Sequence, residues 1–263
     1  LQAIVDAYKT EPFWGVRCEM AKALEKANSA AAATGFPALI EFEQDALVLP
    51  TLLRATGAYR EVSVRDALMQ RLERGLAPLA TQAAYEALGS QQEAAPYDLL
   101  VAAAQTPSVN GIAQVGAIRG LAATRRAEAI DVLLPLVRYG GSSYAVRPFA
   151  VTALAGLGNY IDKPARTRIA ETLVALLRDP RYQVAMAAVR GLATLQAIEA
   201  VAAIEQFARG RVHQEAVVAR RAADTLRRAA QPAEKGQQKQ LQELRAQLRR
   251  LEEEVQKLRA QTA

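Results

Sequence analysis

Few residues in this sequence could perform catalytic chemistry. The chain of 263 residues contains one histidine, His213, and one cysteine, Cys18. A zinc-protease helix needs two histidines one turn apart and a glutamate base, so these residues alone cannot form that site. A serine or cysteine nucleophile could use His213 as its base, but the polar neighbours of His213 at a predicted helix start favour a surface or capping role.

The acidic and glycine-rich stretches also lack a catalytic pattern. Three consecutive glutamates at 252–254 lie one helical turn from basic residues, which is typical of solvated, stabilising ion pairs. The segment "LAGLGNYI" lacks the third glycine and the preceding strand of a phosphate-binding loop. A single cysteine excludes an internal disulfide framework and a multi-cysteine zinc cluster. We therefore predict that this chain has no catalytic, cofactor-binding or metal-binding residue.

Basic residues are concentrated in one part of the chain. Residues 121–230 contain 16 Lys and Arg against 9 Asp and Glu, within a whole-chain net charge of +6. Such an excess can attract nucleic acid or an acidic protein surface. A groove for nucleic acid would also need aromatic side chains for stacking, and the sequence has few there, so a solvated helix surface is the favoured interpretation.

Composition and periodicity together predict the elements that carry these residues. Ala and Leu, which are strong helix formers, dominate the apolar content, whereas aromatics are only 5% of the chain. Similar stretches such as "AIRGLAATRR", "TALAGLGNYI" and "AVRGLATLQA" align on leucines spaced by 33 to 36 residues. These are Leu88, Leu121, Leu157, Leu192 and Leu226. The period predicts an all-α repeat array.

Each period divides into two helices joined by a short turn. Ile169, Leu173 and Leu177 share one helical face, and Asp179-Pro180 then stops that helix because proline disfavours a helical neighbour. A second helix restarts near Val184. One such hairpin cannot bury its apolar face alone, so we predict an α-solenoid, an α-α superhelix of about seven stacked hairpins over residues 1–230. Its register is least regular at 29–100, where "SAAAATGFP" and "GSQQEAAP" indicate breaks.

Small residues recur at fixed positions of the repeat. They include Gly120, Gly156 and Gly191, each preceded by alanine three residues earlier. Glycine in a helix costs about 1 kcal/mol, so we expect these positions to allow close approach of neighbouring helices.

The C-terminal segment, residues 231–263, has a different pattern. Its apolar residues follow the a/d spacing of a heptad repeat: Leu241, Leu244, Leu248, Leu251, Val255 and Leu258. This pattern predicts an amphipathic helix that forms either a coiled-coil seam between chains or a polar cap on the end of the solenoid. If the residues form a seam, lysine at Leu244 and Leu251 should convert an oligomer into a monomer.

The stretch "EPFWGVRCEMAKAL" contains the only tryptophan and the only cysteine of the chain. Pro12 corresponds to Pro180, since each precedes a valine by four residues. The repeat therefore predicts a hairpin turn in which Phe13 and Trp14 cap the junction between hairpins. Arg17 recurs in type at Arg65 and Arg147, which indicates a structural ladder to turn carbonyls or acids. The Trp14→Ala substitution is accordingly predicted to lower stability.

The hairpins resemble short HEAT-like repeats, in which a turn proline or Asp-Pro is followed by Val-Arg, as in "YAVRPFAVTALAGLG" and "DPRYQVAMAAVRGLATL". The order of "FWGVR", "GAIRGLAATRRAEAIDVLLPLVRYG", the "LLRDPRYQV" repeat and the heptad helix is similar to the C-terminal region of bacterial M1-family zinc aminopeptidases. In that family the zinc ligands and the glutamate base lie in an upstream domain, and the helical array helps to limit access to it. The resemblance implies an accessory segment, with zinc in the parent only.

We therefore expect a non-catalytic scaffold that buttresses the catalytic domain of an M1-like peptidase and shapes substrate access. The alternatives are a stand-alone protein-binding HEAT module, an assembly scaffold or, less favoured, a nucleic-acid-binding solenoid.

The opening "LQAIVDAYKT" indicates a piece of a longer protein. A cytoplasmic location is the default expectation, although a signal peptide could precede Leu1, and no apolar run is long enough to predict a membrane span.

Overall fold

The computed structural model describes residues 2–211, 214–230 and 247. All regular secondary structure within these residues is helical. The chain divides into two compact units, Leu1–Leu195 and Gln196–Ala263.

The first unit consists of helices that pair in chain order. They are α1 (Gln2–Thr10) and α2 (Trp14–Ala27), α3 (Ala30–Phe42) and α4 (Leu49–Ala55), α5 (Val62–Glu73) and α6 (Pro78–Ser90), α7 (Tyr97–Gln105) and α8 (Ile112–Ala123), α9 (Ala129–Val137) and α10 (Arg147–Leu157), and α11 (Lys163–Leu176) and α12 (Tyr182–Thr194). Each odd-numbered helix packs on the even-numbered helix that follows it. These six pairs are helical hairpins.

The hairpins stack through a continuous layer of even-numbered helices. In this layer α2, α4, α6, α8, α10 and α12 each pack on the next. On the other side, α1, α3 and α5 pack in series, and α7 packs on α9. This two-layer stacking is an α-solenoid of HEAT-like hairpins, so the predicted all-α fold class is confirmed.

The leucines that define the period lie at the centre of the solenoid. The side chains of Leu88, Leu121, Leu157 and Leu192 are fully buried near the ends of α6, α8, α10 and α12. Leu24 and Leu53 hold comparable buried positions in α2 and α4. The core of the solenoid is therefore built from one leucine position per hairpin together with the alanines around it.

Glycines permit close packing of α6 against α8. A Cβ atom on Gly89 would lie 2.1 Å from the carbonyl oxygen of Gly120. A Cβ atom on Gly120 would lie 2.4 Å from the carbonyl oxygen of Tyr85, and one on Gly116 would lie 2.6 Å from the backbone of Gln82. Real Cβ atoms do not approach backbone so closely, so these positions require glycine.

Both predicted breaks coincide with connections between hairpins, although the first connection is shorter than its segment. "GSQQEAAP" spans the connection from α6 to α7, whereas in "SAAAATGFP" only Ser29 precedes α3, because Ala30 begins that helix and Pro37 lies inside it. The Ser29 side chain accepts a hydrogen bond from the backbone N–H of Ala32 and caps the helix start. The buried side chains of Phe36, Leu39 and Ile40 offset the cost of the internal proline.

The second unit contains a short 3₁₀ turn at Ile198–Ala200, helix α13 (Val201–Arg209) and a helix over residues 214–230, named α14. An ion pair between Arg227 and Glu205 joins α14 to α13, and Leu226 is buried. His213 and the heptad residues Leu241, Leu244, Leu248, Leu251, Val255 and Leu258 lie outside the described residues. The roles predicted for them, and the predicted boundary near residue 230, stay predictions.

Candidate interaction surfaces

Arg17 joins the first two hairpins through their turns. Its Nε donates a hydrogen bond to Glu43 Oε2 at 2.9 Å, and its Nη1 donates to the carbonyl oxygen of Glu11 at 3.0 Å. Tyr8 donates its hydroxyl proton to the same Glu43 oxygen at 2.7 Å. Burial, and then the hydrogen bond to the Glu43 carboxylate, raise the pKa of Tyr8 well above its ordinary value. Tyr8 therefore remains a hydrogen-bond donor at neutral pH.

Arg147 makes the same kind of connection between the fifth and sixth hairpins. Its guanidinium donates to the carbonyl oxygen of Val137 at 3.0 Å and forms an ion pair with Asp179. The Arg147 and Asp179 side chains are only 3% and 4% exposed. Asp179 also accepts a hydrogen bond from the backbone N–H of Arg181 at 2.9 Å, next to Pro180 in the turn before α12. Arg147 is thus held by both a carbonyl and an acid.

Arg65 does not belong to this series, although the Val-Arg motif suggested it. Arg65 lies on α5, which is the first helix of its hairpin, whereas Arg17 and Arg147 lie on second helices. Its Nη1 reaches the carbonyl oxygen of Ala94, in the connection between two hairpins, at 3.5 Å, and its Nε pairs with the adjacent Asp66. The Val-Arg dipeptide recurs in the sequence, but at Arg65 it lies on the first helix of a hairpin instead of the second.

Two residues that sequence reasoning missed make the same kind of contact in earlier hairpins. Gln114 on α8, seven residues before Leu121, donates to the carbonyl oxygen of Ala104 at 2.8 Å. Thr81 on α6, seven residues before Leu88, donates to the carbonyl oxygen of Leu76 at 3.2 Å, whereas Arg147 lies ten residues before Leu157. In each case a polar side chain on the second helix binds a carbonyl near the end of the first. Aligning polar residues on the leucine period could have revealed Thr81 and Gln114.

Phe13 and Trp14 lie at the start of α2 and are substantially exposed. Their relative exposures are 57% and 45%, and their ring centres lie 5.6 Å apart at an angle of 49°. At these exposures neither ring is enclosed as the predicted cap would require. The stability loss expected for Trp14→Ala stays a prediction.

A groove of about 360 Å³ lies on the surface of the even-numbered helices, between α8 and α10. Its walls include Arg119 on α8, Phe149 and Thr152 on α10, and Tyr160 in the turn that follows, with alanines between them. The Arg119 guanidinium lies 5.0 Å from the ring centre of Phe149, and the Arg125 guanidinium lies 4.0 Å from that of Tyr160. Two cation–π pairs therefore border the groove.

Gly156 lines this groove without serving helix packing. A Cβ atom built on Gly156 would meet nothing within 4 Å, in contrast to Gly120 at the corresponding position of α8. Gly191 resembles Gly120, since its Cβ atom would lie 3.0 Å from Ala155 Cβ. The expectation that all three glycines allow close helix approach is therefore wrong for Gly156, because α10 carries empty space there.

An ion-pair network continues along the same layer from the groove. Glu86 on α6 accepts a hydrogen bond from Arg119 at 2.7 Å, pairs with Arg54 of α4 at 3.3 Å, and accepts one from Gln82 at 3.0 Å. Burial acts to raise the pKa of Glu86, but the hydrogen bonds from Arg119 and Gln82 and the charge of Arg54 outweigh it and lower that pKa. The network fixes Arg119 at the groove.

Cys18 is a further candidate for chemistry in the described part of the chain. Cys18 is buried in α2, with its Sγ 3.9 Å from the carbonyl oxygen of Leu47. No group of three His, Cys, Asp or Glu residues in residues 2–211 and 214–230 is arranged to hold a metal ion. None of the described helices has the length and apolarity needed to cross a membrane.

The fold places this chain in the class of helical-repeat proteins with α-solenoid architecture. No family model matches the chain, and no curated protein matches it. Solved structures that match include two engineered proteins, the first with a TM-score of 0.43 and 19% identity over 86% of this chain and 97% of that chain. The second has a TM-score of 0.43 and 21% identity over 86% of this chain and 67% of that chain.

Human deoxyhypusine hydroxylase in complex with glycerol also matches, with a TM-score of 0.40 and 15% identity over 85% of this chain and 96% of that chain. Likenesses of this size say nothing about the function of this chain.

Proposed function

We propose that this chain is a non-catalytic scaffold whose even-numbered helices bind a polypeptide in the groove between α8 and α10. The observation that carries the proposal is the empty space above Gly156, bordered by the exposed rings of Phe149 and Tyr160. A helix that served packing alone would gain about 1 kcal/mol from alanine at this position. Glycine there keeps the groove deep enough for an inserted side chain.

The border of the groove suits a polypeptide more than a small polar substrate. Aromatic and arginine side chains are the residues most often found at the energetic centre of protein interfaces. Phe149 is 41% exposed and Tyr160 56%, so each presents apolar surface that a partner would bury. The Glu86 network holds Arg119 in place, which limits the entropy lost on binding.

We also propose that the bound polypeptide is the catalytic domain of an M1-like zinc aminopeptidase, of which this chain is the accessory array. The support is the resemblance of the motif order from "FWGVR" to the heptad helix. Zinc and the catalytic residues would then belong to the parent outside this sequence. The alternative is a stand-alone binding module or an assembly scaffold. In that case the groove between α8 and α10 would bind a different protein.

The identity of the parent is tested by the sequence that precedes Leu1 in the full protein. A His-Glu-x-x-His motif with a further glutamate ligand downstream would support the aminopeptidase. A full-length sequence without that motif would contradict the aminopeptidase while leaving the scaffold proposal intact.

The scaffold proposal is tested by binding of the upstream polypeptide to groove variants, measured by calorimetry. Gly156→Leu should fill the groove and weaken binding by about tenfold or more. Gly156→Ala is the matched control, because one methyl group occupies little of the space. Equal affinity of both variants would overturn the groove as the binding surface.

The non-catalytic assignment is tested directly on the isolated chain. We expect no release of nitroaniline from leucine p-nitroanilide, with or without added zinc, and no stoichiometric zinc in the purified protein. Turnover that co-purifies with the chain, and that persists after removal of contaminating peptidases, would contradict the assignment.

A further inference from the structure

Two neighbouring hairpin turns carry exposed arginines and tyrosines that lie outside the proposed groove. The turns connect α9 with α10 and α11 with α12, and the ion pair between Arg147 and Asp179 holds them together. We define the turn patch as the exposed side chains Arg138, Tyr139, Tyr144, Arg178, Arg181 and Tyr182.

The turn patch has a positive charge that the protein itself leaves unbalanced. The guanidinium groups of Arg138, Arg178 and Arg181 have no ion-pair partner among the described residues. Asp179 is the only acidic residue of these two turns, and its carboxylate is buried and occupied by Arg147 and the Arg181 backbone. The patch can therefore accept negative charge from outside.

The tyrosines are unusually exposed for aromatic side chains. Relative exposures are 77% for Tyr139, 68% for Tyr144 and 53% for Tyr182. Tyrosine and arginine together are enriched at protein interfaces, where the ring is buried and the hydroxyl and guanidinium donate hydrogen bonds. Guanidinium groups bind carboxylates with two parallel hydrogen bonds.

We propose that the turn patch binds an acidic segment of a polypeptide, rich in glutamate or aspartate. This site is separate from the groove between α8 and α10, so it goes beyond the proposed function. The carboxylates of the segment would pair with Arg138 and Arg178, and its backbone would lie across the exposed tyrosines.

A polypeptide fits the patch better than single-stranded nucleic acid for two reasons. Base stacking needs free ring faces, but the Arg181 guanidinium lies 5.9 Å from the ring centre of Tyr144, and Arg147 lies 5.7 Å from that of Tyr139. Three unpaired arginines also neutralise few phosphates, whereas nucleic-acid affinity at physiological salt depends on many such contacts.

The test measures fluorescence anisotropy of labelled polyglutamate and, in parallel, labelled oligothymidylate on the whole chain. Polyglutamate should bind, and Arg138→Ser/Arg178→Ser should weaken its binding by about tenfold or more. Lys26→Ser/Arg60→Ser is the matched control, since it removes the same charge from exposed residues outside the turn patch. Tyr144→Ser should also weaken binding, and it leaves the net charge unchanged. Melting curves establish that each variant is folded.

Equal loss of affinity in the patch variant and the control variant would overturn the proposal, because it would indicate attraction by net charge alone. Tighter binding of oligothymidylate than of polyglutamate, lost in the patch variant, would overturn it in favour of a nucleic-acid site. Gly156→Leu should leave polyglutamate binding unchanged, so failure of the groove and failure of the turn patch are distinguishable.

Discussion

Arg147 and Asp179 carry opposite charges in an almost completely buried position. Removing water from two charges is costly, and only their mutual attraction and the remaining hydrogen bonds offset that cost. The carbonyl of Val137 and the backbone N–H of Arg181 supply those hydrogen bonds. The pair therefore specifies how two hairpin turns meet, and each charge depends on the other.

We expect Arg147→Met to lower the free energy of unfolding by about 3–5 kcal/mol, because Asp179 would remain buried without its partner. Replacing both residues, as Arg147→Met/Asp179→Leu, should recover a large part of that loss. Urea unfolding of the two variants measures the difference. A single variant that loses less than about 1 kcal/mol would show that the pair is hydrated, as surface pairs are.

Gly120 and Gly156 hold the same place in successive repeats and should respond oppositely to alanine. Gly120→Ala should lower the free energy of unfolding by about 1–3 kcal/mol, since the new methyl group would press on the Tyr85 carbonyl. Gly156→Ala should raise it by up to about 1 kcal/mol through helix propensity alone. Thermal unfolding of both variants tests the contrast, and equal shifts of one sign would contradict it.

At the scale of the helices, the even-numbered layer combines packing with surface electrostatics. Helices α4, α6 and α8 each contribute one charged side chain to the Arg54–Glu86–Arg119 network. Because these helices are consecutive in the layer, the network connects three hairpins on the face that carries the groove. Its acidic member makes the connection dependent on pH.

We expect the stability contributed by Glu86 to fall in acid. Its pKa is lowered in the folded chain, so the unfolded chain takes up the proton first as the pH falls. The contribution is therefore complete above the ordinary glutamate pKa of about 4.3 and is lost as the pH falls through the lower, folded pKa. The free-energy difference between the wild type and Glu86→Gln should shrink over that range.

Urea unfolding at a series of pH values measures this difference. Glu171→Gln, which alters an exposed glutamate of α11, is the control and should follow the wild-type profile more closely. If the difference in the free energy of unfolding between the wild type and Glu86→Gln stays constant from neutral to strongly acidic pH, the Glu86 carboxylate does not stabilise the fold through this network.

Across the first unit as a whole, stability depends on contacts between neighbouring hairpins. Such a stack unfolds cooperatively only while each interface is strong enough to couple its two sides. The interface of α6 with α8 is close, as the contacts at Gly89, Gly116 and Gly120 show. Disrupting it should separate the hairpins before it from those after it.

We expect Gly116→Val to divide the unfolding of the first unit into two steps. The valine side chain would collide with the Gln82 backbone of α6 and force the helices apart. Hydrogen exchange should then show α1–α5 and α9–α12 opening with different free energies. Gly156→Val, which meets open space, serves as the control and should keep the two regions coupled. A single shared transition for Gly116→Val would contradict this account.

The sequence by itself determined the helical class, the period and the buried leucines. The Ala- and Leu-rich composition favours helix locally, and Leu121, Leu157 and Leu192 recur because each repeat must bury the same face against its neighbour. The turn at Asp179-Pro180 was also predictable, since proline acts locally, on the residue before it and on the preceding helical turn. The same rule does not predict the helix through Pro37 in "SAAAATGFP". There the burial of Phe36 and its neighbours in α3 outweighs the energetic cost of a proline inside the helix.

Only the tertiary structure decided which repeated residues are equivalent in space. Arg65 and Arg147 share a dipeptide motif but lie on different helices of their hairpins, whereas Thr81, Gln114 and Arg147 differ in type and make the same kind of turn contact. Gly120 touches a neighbouring backbone and Gly156 faces empty space. A repeat pattern specifies which face is buried, but the distance between two helices depends on all the side chains between them, and that distance creates the groove.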